Sequence, residues 1–235
     1  MKKLILFDID STLITMNRTA QRAIMDFACE YALGYRVPLE VIPPLAGKTD
    51  LQIISEIFDN LQLPKNNRDI ITENFMKGLQ LATPEHSSSE TISALVGAKE
   101  LVTFLYQNSD ITLGLLTGNN RDCAYFKLKP TGLDEYFSFG AFGCDHHDRR
   151  KLPPIAIQRA NILVGKSHFT NTNTLIIGDA PGDVACAKAN NIPILAVASG
   201  QFSPEDLSYE GANAILNNFS DIQNSANIIY NLLGL

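Results

Sequence analysis

The chain has 235 residues, 45% of them hydrophobic and 19% charged, which excludes a disordered or low-complexity polymer and allows either one large domain or one domain with a smaller companion. Its 19 basic and 25 acidic residues give a net charge of −6. With no long basic tract, neither nucleic acid nor an anionic membrane is an expected partner, although a local anion pocket remains compatible.

The first element read along the chain is Leu4-Ile5-Leu6-Phe7, apolar throughout and stopped by Asp8. Such a run predicts a strand of a parallel sheet, covered by helices on both faces. Four apolar residues are too few for the core of a signal peptide, and no later run approaches a membrane span of ~18 residues, so a cytoplasmic chain is expected. From Arg18 to Tyr31 a stripe at Ala20, Ala23, Ile24, Phe27 and Ala28 predicts a helix. A second helix is predicted around Leu51 to Leu61, with Asp50 as its N-cap, and a third around Ile71, Phe75 and Leu79. Consecutive helices without a strand between them predict a helical insertion over residues 15–84, and the serine-rich segment from Pro84 to Ser93 reads as its return linker.

Alternation then resumes. A helix at Ala98 to Leu105 precedes the apolar run Ile111 to Leu116, which ends in Thr117-Gly118-Asn119. A short helical stripe at Ile155, Ala156 and Ala160 precedes Thr174 to Ile177, which ends in Gly178-Asp179. Pro181 to Ala189 follows as a helix with proline in its first turn. Pro193 to Val197 and Ala212 to Leu216 add two strands, and Ile222 to Leu232 a last helix. The expected architecture is α/β, a Rossmann-like, mostly parallel sheet with helices on both faces and an inserted all-helical unit; residues 1–14 and 85–235 form the core domain.

In such sheets, sites gather where strands end. Asp8-Ile9-Asp10 places two carboxylates on the same side of an extended chain. Asp8 suits a nucleophile toward phosphorus, and Asp10 an acid that protonates the leaving oxygen and then deprotonates water. Their charge beside a phosphate calls for a hard divalent cation, Mg²⁺, for which Asp179 is the distal ligand and Asp183 a supporting acid. The Thr117 hydroxyl and the backbone of Gly118 and Asn119 suit non-transferred phosphoryl oxygens. The needed cation lies among Arg149, Arg150 and Lys151.

These motifs resemble the haloacid dehalogenase-like hydrolase superfamily, in the group similar to phosphoglycolate phosphatase and β-phosphoglucomutase. Asp8-Ile9-Asp10-Ser11-Thr12, Thr117-Gly118-Asn119, Lys151 and Gly178 to Asp183 match its four motifs in order, at separations of 109, 34, 28 and 4 residues. The resemblance implies a helical cap between the first two motifs, with Asp8 as nucleophile and metal ligand and Asp10 lending its backbone carbonyl to Mg²⁺. It gives Lys151 the role of steadying Asp8 and phosphate, with Arg150 in reserve because Leu152 separates Lys151 from Pro153-Pro154. Gly47-Lys48-Thr49-Asp50 is similar to a cap motif that reaches the substrate, so Gly47 and Lys48 are candidate substrate contacts. Ser11 stands where the family commonly has glycine, and Ala180 where it commonly has a hydroxyl.

The resulting expectation is a Mg²⁺-dependent phosphatase acting on a small phosphorylated metabolite through an aspartyl-phosphate, in a monomer or weak homodimer. A β-phosphoglucomutase-like mutase and a non-catalytic interaction protein of the same fold are the alternatives. Asp10 and the metal acids argue against carbon–halogen cleavage, and Lys48 alone is insufficient for Schiff-base phosphonate chemistry. The pair His146 and His147 reads as an exposed loop, Cys29 and Cys186 as packing residues, and Phe137, Phe139 and Phe142 as core or sheet edge.

Overall fold

The computed structural model describes residues 2–165 and 168–235. Eight strands are described: β1 (Lys3–Phe7), β2 (Ile14–Met16), β3 (Ile92–Ala94), β4 (Ile111–Leu116), β5 (Gly140–Ala141), β6 (Thr174–Gly178), β7 (Ile194–Val197) and β8 (Ala214–Leu216). The helices are α1 (Arg18–Leu33), α2 (Asp50–Asn60), α3 (Arg68–His86), α4 (Ala98–Tyr106), α5 (Arg121–Leu128), α6 (Leu152–Val164), α7 (Pro181–Ala189), α8 (Pro204–Glu210) and α9 (Ile222–Leu233).

Six strands form one parallel sheet in the order β5-β4-β1-β6-β7-β8. Successive side chains of a strand face opposite sides, and β1 divides accordingly. Ile5 and Phe7 join the apolar cluster under α4, α5 and α9, whereas Leu4 and Leu6 join the one under α6, α7 and α8. The continuous apolar runs are therefore strands buried on both faces. Register sets the site: Phe7 pairs with Leu115 on one side and Ile177 on the other, so β1, β4 and β6 end together. Phe137, Phe139 and Phe142 are buried beside the two-residue β5, which the sequence pattern did not reveal.

Between β2 and β3, helices α1, α2 and α3 build a third apolar cluster around Ile24, Ile54, Ile57, Phe58, Phe75 and Leu79. α1 and α3 approach closely where α3 has no side chain: a Cβ on Gly78 would lie 2.8 Å from the Ala28 Cα. The buried stripe of α1 is rotated from the expected one. Met25 and Cys29 are buried, while Phe27 is 43% exposed and stacks on Tyr31. α3 also continues through Pro84 to His86, taking in the first three residues of the expected linker. The chain's two crossings between sheet and helices pair with each other, β2 antiparallel to β3 with Met16 opposite Ile92.

Candidate active site

Asp8, immediately after β1, donates its backbone N–H to the Ile177 carbonyl at 2.9 Å, which ties it to the end of β6. Its side chain joins those of Asp179 and Asp183 in a buried cluster, each offering one oxygen within 4.8 Å of the others. Asp179 follows β6, and the Thr12 hydroxyl donates to it at 3.4 Å. A Cβ on Gly200 would lie 2.1 Å from Asp179 Oδ2, so glycine at that position leaves room for the carboxylate. Asp183 is fully buried at the start of α7 and accepts from the Ala180 N–H at 3.1 Å.

The cation facing this cluster is Arg149, not Lys151 or Arg150. The Arg149 guanidinium, 5% exposed, contacts Asp8 at 3.0 Å and Asp183 at 2.5 Å, and donates to the Leu116 carbonyl at 3.1 Å. Lys151 is exposed, and Arg150 is paired with Asp148 on the surface. Arg149 to Lys151 form a single 3₁₀ turn, in which consecutive side chains diverge by about 120°. Arg149 lies three residues before the buried Leu152, and that spacing turns it inward.

Asp10 projects toward α5, where Lys127 donates to both its oxygens at 3.0 and 2.9 Å. Asn119 also donates to Asp10, at 2.7 Å, and to the Thr117 hydroxyl at 2.8 Å. Lys127 escaped sequence reasoning because a lysine inside an amphipathic helix is ordinarily a surface residue.

Burial and mutual repulsion dominate the electrostatics. Burial first, then the neighbouring acids, raise Asp8 to about 7 against the opposing pull of Arg149. Burial, Asp8 and Asp183 raise Asp179 to about 9. With all four acids ionised, as they would be around a bound cation, Asp8, Asp10, Asp179 and Asp183 face two buried cations, Arg149 and Lys127, and four negative charges less two positive leave −2. An all-oxygen donor set with that residual charge fits a hard divalent ion such as Mg²⁺, whose opposite ligands stand about 4.2 Å apart. Asp8 and Asp179 each keep one oxygen free, whereas both oxygens of Asp183 are engaged, by Arg149 and by the Ala180 N–H.

A cavity of about 620 Å³ opens onto these groups and continues between sheet and helices. Its far wall carries Arg18, Gln21, Ile24, Met25, Lys48 and Ile53. Lys48 lines it, but its ammonium is paired with Glu56 on α2, which also accepts from Gln52. Gly47, at φ 73°, packs on Gly182. Asp50 is not the N-cap of α2: the Thr49 hydroxyl accepts from the Gln52 N–H, and Asp50 reaches across to accept from the Asn120 N–H at 2.5 Å. The Asp50 N–H donates to the Gly118 carbonyl at 2.8 Å, and the Thr49 hydroxyl to that of His147 at 2.7 Å. Gly118 is the close-approach point, since a Cβ there would lie 1.8 Å from the Lys48 carbonyl oxygen. Burial raises Asp50 to about 6 even though the Asn120 N–H opposes it.

The histidine pair stacks on itself at 4.7 Å, with His147 exposed, and among the described residues it belongs to no metal-ligating cluster. Cys29 and Cys186 are buried packing residues.

A doubly wound parallel sheet, a helical insertion after its first strand and an acidic cluster at the strand ends define a Rossmann-like α/β protein with a carboxylate-based site. The chain belongs to the haloacid dehalogenase-like hydrolase family, whose model matches residues 5–197. No curated protein matches the sequence. Among solved structures, a β-phosphoglucomutase from Clostridium difficile is similar with a TM-score of 0.70 at 17% identity, covering 98% of both chains. A predicted phosphatase from Clostridium acetobutylicum has a TM-score of 0.66 at 18% identity, covering 97% of this chain and 99% of that one. A predicted phosphoglycolate phosphatase from Haemophilus somnus has a TM-score of 0.66 at 16% identity, with 96% and 98% covered. At these identities the likeness establishes the fold. No described helix is long and apolar enough to cross a membrane.

Proposed function

We propose that the protein is a Mg²⁺-dependent phosphatase that hydrolyses a small phosphorylated metabolite through an aspartyl-phosphate on Asp8. The observation that carries this reading is the buried cluster of Asp8, Asp179 and Asp183 around Arg149, opening into a cavity large enough for a metabolite. The ion supplies positive charge that offsets the repulsion between Asp8 and a phosphate dianion. An Asp8 oxygen attacks phosphorus as the ester oxygen departs with a proton from Asp10. Water then attacks the acyl phosphate, giving a proton to Asp10 and returning Asp8 as carboxylate. Arg149 holds Asp8 in line and stabilises charge that develops on the phosphoryl oxygens, and Thr117 with the Gly118 and Asn119 backbone orients them.

In this reading residues 15–84 act as a cap over a core of 1–14 and 85–235, although α3 runs two residues past that boundary. The contacts of Thr49 and Asp50 with the core support a closed form that restricts bulk water. Lys48, already paired with Glu56, is a weaker candidate for a substrate anion than Arg18, which shares the cavity and has no ion-pair partner among the described residues.

The test is release of inorganic phosphate from a panel of phosphorylated metabolites with Mg²⁺, repeated with Asp8→Asn. Turnover that disappears in a folded Asp8→Asn supports the assignment, and unchanged turnover rejects it. Isomerised sugar phosphate in place of inorganic phosphate would make the protein a mutase instead.

A further inference from the structure

Lys127 has no part in the chemistry described above, yet it is among the most constrained side chains of the site. It projects from α5 with its side chain 11% exposed. Its ammonium donates to Asp10 Oδ1 at 3.0 Å, to Asp10 Oδ2 at 2.9 Å and to Asn119 Oδ1 at 2.7 Å. A lysine ammonium has three N–H donors. All three are therefore committed to one carboxylate and to the amide that bridges it, and none is left for a substrate oxygen. Whatever Lys127 does for turnover, it does through Asp10.

Asp10 lies beyond the end of β1, on a loop in which Ser11 holds a left-handed φ of 60°. Nothing in a strand-end loop fixes an aspartate side chain by itself. Here a two-point grip from Lys127 and a lateral bond from Asn119 at 2.7 Å determine where both oxygens sit. Oδ2 already accepts two hydrogen bonds, from Lys127 and Asn119, whereas Oδ1 accepts one and keeps acceptor capacity for another donor.

We propose that Lys127 is a positioning residue that fixes Asp10 as the proton acceptor for hydrolysis of the aspartyl-phosphate. The inference rests on the aspartyl-phosphate reading above and adds a residue to its second half. In that half, the water oxygen forms a bond to phosphorus and the bond between phosphorus and the Asp8 oxygen breaks. The electron pair returns to the Asp8 carboxylate, and the water proton passes to Asp10 and then to solvent. Displacing a base by about 1 Å can cost on the order of 100-fold in rate. Loss of Lys127 therefore slows water attack while leaving transfer to Asp8 intact, provided the leaving group departs without a proton.

The experiment is stopped-flow release of p-nitrophenolate from p-nitrophenyl phosphate with Mg²⁺, comparing wild type with Lys127→Met and Lys127→Gln. p-Nitrophenolate needs no protonation to leave. Both variants are expected to show a stoichiometric burst followed by steady turnover roughly 10–100-fold below wild type, with KM falling in parallel so that kcat/KM for the ester changes less than about threefold. A loss of structure alone would lower burst and steady rate together. That result, or wild-type kinetics in both variants, overturns the proposal. Failure of both variants to fold while Asp10→Asn folds overturns it too, because Lys127 would then serve the fold. Asp10→Asn separates the two levels of inference: a burst there without one in the lysine variants rejects Lys127 alone. Persistent turnover in Asp8→Asn rejects the underlying mechanism.

Discussion

Replacing Arg149 with methionine separates the inward-facing cation from its two basic neighbours. The guanidinium is 5% exposed and touches Asp8 at 3.0 Å and Asp183 at 2.5 Å. Methionine fills similar space but leaves two buried acids with no positive charge between them. Removing one partner of a buried ion pair costs about 3–5 kcal/mol. For a chain of this size, each kcal/mol corresponds to about 2–4 °C in Tm, so a fall of roughly 6–20 °C is expected in metal-free buffer at neutral pH. Phosphatase activity should fall at least about 100-fold, because in the proposed mechanism the same side chain stabilises charge on the phosphoryl oxygens. Calorimetry and phosphate release read the two effects. Lys151→Ala and Arg150→Ala, both on the surface, should match wild type in each assay. A melting point for Arg149→Met within about 2 °C of wild type, or a larger activity loss in Lys151→Ala, would refute the assignment of the inward position.

The raised acids give a signed pH dependence. Asp8 at about 7 and Asp179 at about 9 lie above the ordinary aspartate value of 3.8, so each favours the folded state in its protonated form. That contribution is complete below about pH 4 and is lost as pH rises through about 7 and 9, so the chelator-treated protein should melt lower at pH 9 than at pH 5. Mg²⁺ should restore stability increasingly with pH, by about 2.7 kcal/mol at 100 times its Kd, and scanning fluorimetry with EDTA or Mg²⁺ would expose an opposite trend. Gly118→Ala places a methyl 1.8 Å from the Lys48 carbonyl oxygen and should lower kcat/KM at least about tenfold while shifting the melt far less than Arg149→Met. A wild-type kcat/KM in Gly118→Ala would show that this close approach does not matter for turnover. Asp50→Ala removes the carboxylate that caps the Asn120 N–H, and its signature should be a raised KM with the chemical step preserved, read by steady-state kinetics.

The sheet was legible because β1, β4, β6 and β7 are buried on both faces and therefore read as apolar runs, each broken by a small or acidic residue at the end that matters. Asp8, Thr117 and Asp179 share that signal, and register brings their strands to a common edge. The pairing of β2 with β3 was not legible: three-residue strands show too little alternation, and their partners lie 76 or more residues apart in sequence. Arg149 was hidden for a different reason. Three consecutive basic residues look alike until the 3₁₀ turn chooses one, and the clue was its spacing from Leu152. Asp50 was read as serving its own helix, whereas it accepts from the backbone N–H of Asn120, the N-cap residue of α5, a tertiary contact that no local pattern encodes.

Since Met16 and Ile92 face each other across a two-stranded ribbon, the helical unit enters and leaves the sheet domain one strand spacing apart, about 4.8 Å. It therefore hangs on a single narrow stalk. A unit attached in this way can be exchanged for another of different shape with the strand ends left in place, so that on the proposed function the choice of substrate and the machinery of turnover become separately evolvable parts of one chain.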